Sequence, residues 1–168
     1  MVAIKAQINM ENAAEVRKRQ VNLSKKTLDI LRNVLADVTP QQARTLRDGA
    51  HGWTVLEVVC HLRDFNDIFH DRAKLIRDQD RPNLPAYDHE ALAVKGHYNA
   101  GDLATAFAAL VDSRRALINT FKALTPEQWE RVGIHPERGV FTMTDAALQV
   151  VAHDCDHTEQ ITRILLQR

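Results

Sequence analysis

Apolar residues recur along most of this chain at steps of three and four, and no long stretch alternates apolar with polar positions. That pattern predicts an all-α protein. The first long helix is expected from Glu11 to Val38, with Val16, Leu23, Ile30, Leu31, Val34 and Val38 as its inward stripe. Thr39-Pro40 ends it and has the form of an N-cap followed by proline at the first helical position, which predicts a short helix over Gln41 to Arg47. Thr54 and Glu57 stand at capping-box spacing. They open a second long helix to about Gln79, whose broad apolar face is Val55, Val58, Val59, Leu62, Phe65, Phe69 and Ile76.

Arg81 to Gly101, with Pro82, Pro85, Gly96 and Gly101, is too long for an ordinary connection. A segment of that length is expected to cross the bundle or cover a site, with Asp88 to Lys95 partly helical. The third helix spans Asp102 to Leu124 on Leu103, Phe107, Leu110, Leu117 and Phe121, and Arg114 interrupts its stripe. Thr125-Pro126 starts a short turn around Trp129, and a loop containing Gly133, Pro136 and Gly139 follows. The fourth helix begins near Thr142 or Thr144 and ends near Leu166. Short links on either side of one long connection between helices two and three predict a four-helix bundle in up-down-down-up order, with the cyclic up-down-up-down order still open. One domain covering 1-168 is the expectation for this length.

Charge narrows the partners. Lys plus Arg number 22 and Asp plus Glu number 22, so no excess of one sign is available to hold a phosphate backbone or an anionic membrane. Nucleic acid and membrane are therefore not expected as partners. Cys60 and Cys155 make no disulfide framework and no zinc-finger spacing, and both read as packing residues. With no apolar run long enough for a signal peptide or a span, a cytoplasmic protein is expected.

Candidate chemistry comes from histidines placed where leucines belong. Met143, Ala146, Val150, His153, His157, Ile161 and Ile164 share one face of the fourth helix, and His61 lies between Val58 and Phe65 on the second. A single core histidine is most simply a ring bonded to a carbonyl or carboxylate. Three on converging faces point instead to shared coordination, because burying each imidazole without a partner costs roughly 1–3 kcal/mol. Neutral nitrogen donors suit one divalent transition metal, Zn, Ni, Cu or Fe(II), with Zn or Ni preferred, and leave a coordination position open for water or substrate. The Glu-x-x-His pairs of di-iron bundles and the Cys-x-x-Cys-His of haem attachment are absent.

Gly52-Trp53-Thr54, His61-Leu62 and His153-x-x-x-His157-x-x-Gln160-Ile161 together resemble the DinB/YfiT-like superfamily of metal-dependent enzymes. The resemblance covers nearly the whole chain and implies a helical bundle, the triad His61, His153 and His157, and activities that include transfer reactions with low-molecular-weight thiols. Together with the apolar face of the second helix it also implies a homodimer. The function expected is transfer of a small thiol to an electrophile. Metal-assisted hydrolysis and a non-catalytic metal- or ligand-binding stress protein are the alternatives. Asp64, three residues beyond His61, is the candidate catalytic carboxylate, and Glu57 has its cap to explain it. Arg114 could hold a substrate carboxylate, although snorkelling to the bundle end explains it as well. Asp154 and Asp156 read as solvent-facing, and His51, His70, His89, His97 and His135 fall outside the constellation, with His89 and His97 able to approach a site mouth.

Overall fold

The computed structural model describes residues 2–167 and the side chains of residues 11–167, so Met1 and Arg168 of the predicted unit lie outside the described residues. Four long helices carry it: α1 (Val2–Leu35), α3 (Val55–Asp78), α5 (Leu103–Lys122) and α7 (Met143–Leu166). Between them lie the short helices α2 (Pro40–Thr45), α4 (His89–Lys95) and α6 (Pro126–Trp129), and a 3-10 turn at Tyr98–Ala100. Reciprocal capping boxes at Thr39, Thr54, Thr125 and Thr142 fix the starts of α2, α3, α6 and α7, each satisfying otherwise orphaned backbone N–H groups. Among the described residues no helix is long and apolar enough to cross a membrane.

Cross-helix contacts give the directions. Arg17 meets Thr144 and Thr27 meets Asp154, so α1 and α7 run parallel. Asn66 meets Ser113 and His70 meets Thr120, so α3 and α5 also run parallel. His61 lies against His157 while Phe69 lies against His153, which makes α3 and α7 antiparallel. Ser24 against Arg114, with Arg32 over Phe107, does the same for α1 and α5. The order is therefore up-down-down-up, which resolves the choice the sequence left open. Parallel neighbours α3 and α5 require the chain to return along the bundle, and this is the work of the long connection between them.

Two expectations need correction. The segment drawn as a loop after α6 is a two-stranded antiparallel hairpin, β1 (Val132–His135) and β2 (Gly139–Thr142). Gly139 at φ +70 permits its turn, and a Cβ on Gly133 would meet Ile76 and Leu84 at 3.1 Å, so both glycines serve the hairpin rather than a loop. Strands this short carry too little alternation to be recognised. Next, α1 begins at Val2 rather than Glu11, because nothing in residues 2–10 breaks a helix. Its core face is Val21, Leu28, Leu31 and Leu35, whereas Val16, Leu23 and Ile30, also expected inside, are exposed roughly 100° around the cylinder. The broad apolar face of α3, from Val55 through Ile76, packs inside the chain as expected.

The core forms two apolar clusters. One gathers Leu28, Leu31, Val58, Leu62, Leu110 and Ile161, and the other Val21, Phe69, Ile76, Leu117, Phe121 and Val150. Between them every long helix contributes polar side chains: Ser24 and Thr27, His61 and Asn66, Arg114, and Asp154.

Candidate metal centre

Helical periodicity brings the three expected histidines into this polar layer. His61 projects from the second turn of α3, and His153 and His157 stack one turn apart on α7. One donor nitrogen of each lies within 4.8 Å of the others. His61 Nε2 and His153 Nε2 face each other at 2.9 Å, and the ring centroids are 4.5–4.9 Å apart. His61 is buried and the other two are half-buried. His61 Nδ1 is buried with no hydrogen-bond partner. Nitrogens that crowd together in this way, one ring keeping an unmet polar atom, form a donor set that fits a divalent cation.

The tautomer of His157 is set from outside the cluster. Its Nδ1 donates to Gln160 Oε1 at 2.8 Å, and Gln160 Nε2 donates to Asp48 Oδ2 at 3.1 Å. An amide oxygen only accepts, so Nδ1 carries the proton and Nε2 keeps its lone pair for the site. Arg163 completes the chain by pairing with Asp48. Asp48, at the turn before α3, was not singled out in the sequence; it stands far from the histidines there and follows no motif.

Electrostatics keeps the rings neutral. Burial first, then the neighbouring imidazoles of His157 and His89, push His61 down to about 3 from 6.5. Burial, His157, His61 and the Arg114 cation push His153 down to about 2. His157 is also lowered by burial, against a contrary pull from its bond to Gln160. Unprotonated imidazoles are the form a metal requires.

Aromatic walls surround the cluster. Phe65 lies 4.3 Å from His61 and 5.4 Å from His153, Phe69 lies 5.1 Å from His153, and Trp53 lies 4.9 Å from His61. The exposed His89 on α4 comes within 6.2 Å of His61 and 5.9 Å of Trp53, so the crossover does reach the site mouth. His97 instead takes a left-handed backbone ahead of the 3-10 turn.

The structure does not bring Asp64 to the imidazoles. One carboxylate oxygen takes Arg63 Nε at 2.6 Å and the other takes the Tyr98 hydroxyl at 2.6 Å, which ties α3 to the crossover. Glu57 is held by its cap, accepting from the Thr54 N–H at 2.7 Å. Arg114 neither snorkels nor awaits a substrate. It is 2% exposed and grips Asp154 with two bonds, at 2.6 and 2.8 Å. Asp154, expected at the surface, is 3% exposed, because the α5 cation it pairs with is itself in the core. Cys60 packs as expected, while Cys155 is exposed. His70 bonds Thr120, and His135 Nδ1 accepts from the Glu137 N–H, both outside the cluster.

Known proteins resemble this chain in sequence and fold. The sequence pattern of the DinB superfamily matches residues 24–161. YfiT of Bacillus subtilis is 29% identical over 136 residues, covering 80% of this chain and 75% of its own. An Oceanobacillus iheyensis protein, also provisionally named a metal-dependent hydrolase, is 26% identical over 80% of this chain and 77% of its own. The solved structure of YfiT, described as "a probable metal-dependent hydrolase with an unusual four-helix bundle topology", superposes with a TM-score of 0.82 at 26% identity over 91% of this chain and 87% of that one. A mycothiol-dependent maleylpyruvate isomerase shares the fold at a TM-score of 0.73 with 9% identity, over 86% of this chain and 60% of that one.

Proposed function

The chain belongs to the DinB superfamily, and from that premise we propose that it is a metal-dependent enzyme in which His61, His153 and His157 hold one divalent cation, Zn or Ni. When bound, such a cation lowers the pKa of a ligand at its open position and so supplies a nucleophile at neutral pH. The observation that carries this reading is the convergence of three imidazole nitrogens on one point, with His157 turned by Gln160 so that its Nε2 lone pair is free.

Within that class, a low-molecular-weight thiol is the proposed nucleophile and a small electrophile its acceptor. Activated water is usually served by a carboxylate base, and the carboxylate that the sequence offered for that role, Asp64, is engaged by Arg63 and Tyr98. A thiol loses its proton on coordination and needs no such base. Trp53, Phe65 and Phe69 supply an apolar wall against which the carbon skeleton of a substrate can lie. Hydrolysis is the second reading, favoured by the names of the curated relatives.

Metal analysis of purified protein, followed by thiol-transfer and ester-hydrolysis assays with and without chelator, tests both levels. One metal per chain is expected, lost in His61→Ala, His153→Ala and His157→Ala and kept in His70→Ala and His135→Ala. Full occupancy in any triad variant removes that histidine, and chelator-sensitive ester cleavage without thiol transfer replaces the thiol reading by hydrolysis.

A further inference from the structure

Arg114 belongs to α5, which supplies no histidine, yet its guanidinium touches both helices that do. Nε donates to Asn66 Oδ1 on α3 at 2.5 Å, and the two terminal nitrogens donate to Asp154 on α7. One terminal nitrogen also donates to the Ser24 carbonyl on α1 at 2.8 Å, and Thr27 of α1 donates its hydroxyl to the same Asp154 carboxylate. All four long helices therefore meet on one ion pair. Asn66 is five residues from His61, and Asp154 adjoins His153.

A buried ion pair is poor value as pure stabilisation, since apolar residues of similar volume usually do as well. What the pair provides and apolar packing lacks is direction. A planar guanidinium that bonds a carboxylate through two nitrogens and an amide through a third fixes the rotation and height of both partner helices. A slip of one residue on α7 would turn its face by about 100° and carry His153 away from His61.

We propose that Arg114, acting through Asn66 and Asp154, is a positioning residue for the metal centre: it sets the separation and register of α3 and α7 so that His61 meets His153 and His157 before any cation arrives. This rests on the metal reading of the three histidines. Arg114 is 2% exposed and its nitrogens are taken by Asn66, Asp154 and the Ser24 carbonyl, so its role is to keep the donor set assembled.

The test separates positioning from folding. Arg114→Met alone strands a buried carboxylate and can unfold the protein, so the informative variant is the double Arg114→Met/Asp154→Leu, which removes both charges, with Arg114→Lys as a variant that keeps the cation but loses the fork. Zinc affinity is measured by competition with a chromogenic chelator, the ligand field by the visible spectrum of the cobalt-substituted protein, and the fold by circular dichroism and melting. The double variant should keep its helicity and bind zinc 10- to 100-fold more weakly, with an altered cobalt spectrum. Arg114→Lys should fall between it and wild type. Wild-type affinity and spectrum in the double variant would overturn the positioning role alone. Failure of the wild-type protein itself to take up zinc or cobalt would overturn the metal reading, and this inference with it.

Discussion

Three imidazoles and one ion pair share the polar layer of this bundle, and they are built to different standards. Around Arg114 and Asp154 the partners close on one another: the guanidinium meets a carboxylate, an amide oxygen and a backbone carbonyl. Around the histidines the closure is partial: two Nε2 atoms meet at 2.9 Å and His157 bonds Gln160, but the buried His61 Nδ1 has no partner. A satisfied network holds a fold together, while imidazoles gathered in a core with a buried nitrogen left unpaired call for a role other than packing. The first group makes the second possible.

The comparison breaks most visibly under mutation of the metal-free protein. Arg114→Ala leaves the Asp154 carboxylate buried and unpaired and should cost about 3–5 kcal/mol in urea unfolding. His153→Leu removes an imidazole from the crowded cluster, fills the same apolar surroundings, and should be neutral or stabilising by about 1 kcal/mol. Similar losses in both would mean that the imidazole cluster is as structurally complete as the ion pair.

Acid should also tell the two groups apart. His61 and His153 are neutral in the folded state down to about 3 and about 2, whereas unfolded they titrate near 6.5. Between those values the unfolded chain holds protons that the folded one does not, so their contribution to stability is complete above pH 6.5 and is lost as pH falls toward 3. Each imidazole should cost on the order of 1 kcal/mol per pH unit within that window. Melting of the metal-free protein at pH 7 and pH 5 reads this out, and a His61→Leu/His153→Leu variant should lose most of the acid sensitivity. An unchanged pH dependence in that variant would place the sensitive groups elsewhere.

The two groups also differ in how far the sequence disclosed them. His153 and His157 occupy positions where the stripe of α7 demands leucine, so the periodicity that predicts the helix also exposes the anomaly. The same logic flagged Arg114, but it could not name the partner: Asp154 sits off that stripe, and only the packing of α1 and α5 shows that this side of α7 is also interior. On α1 the ambiguity ran the other way, where Val16, Leu23 and Ile30 mimic a core stripe and face outward. The starts marked by a threonine cap, at Thr39, Thr54, Thr125 and Thr142, were legible because caps are local chemistry, whereas α1 begins without one. The β1–β2 hairpin was not legible, its four-residue strands being shaped by Pro82, Leu84 and Ile76 across the fold.

The smallest effect concerns the link from the imidazoles to the surface. Gln160 holds the Nδ1 proton of His157 and is itself held by Asp48, which Arg163 anchors in turn. Gln160→Leu removes the acceptor, frees the ring to rotate or change tautomer, and leaves the fold untouched because Gln160 is only half-buried. Zinc affinity should fall about tenfold, the lower end of what an outer hydrogen-bond partner contributes, with melting of the metal-free protein unchanged. Asp48→Asn keeps an acceptor for the Gln160 amide and should lose less. If Gln160→Leu binds zinc as tightly as wild type, the ring of His157 is oriented by its packing between the other two imidazoles, and the hydrogen-bonded chain to Asp48 only ties down the end of α7.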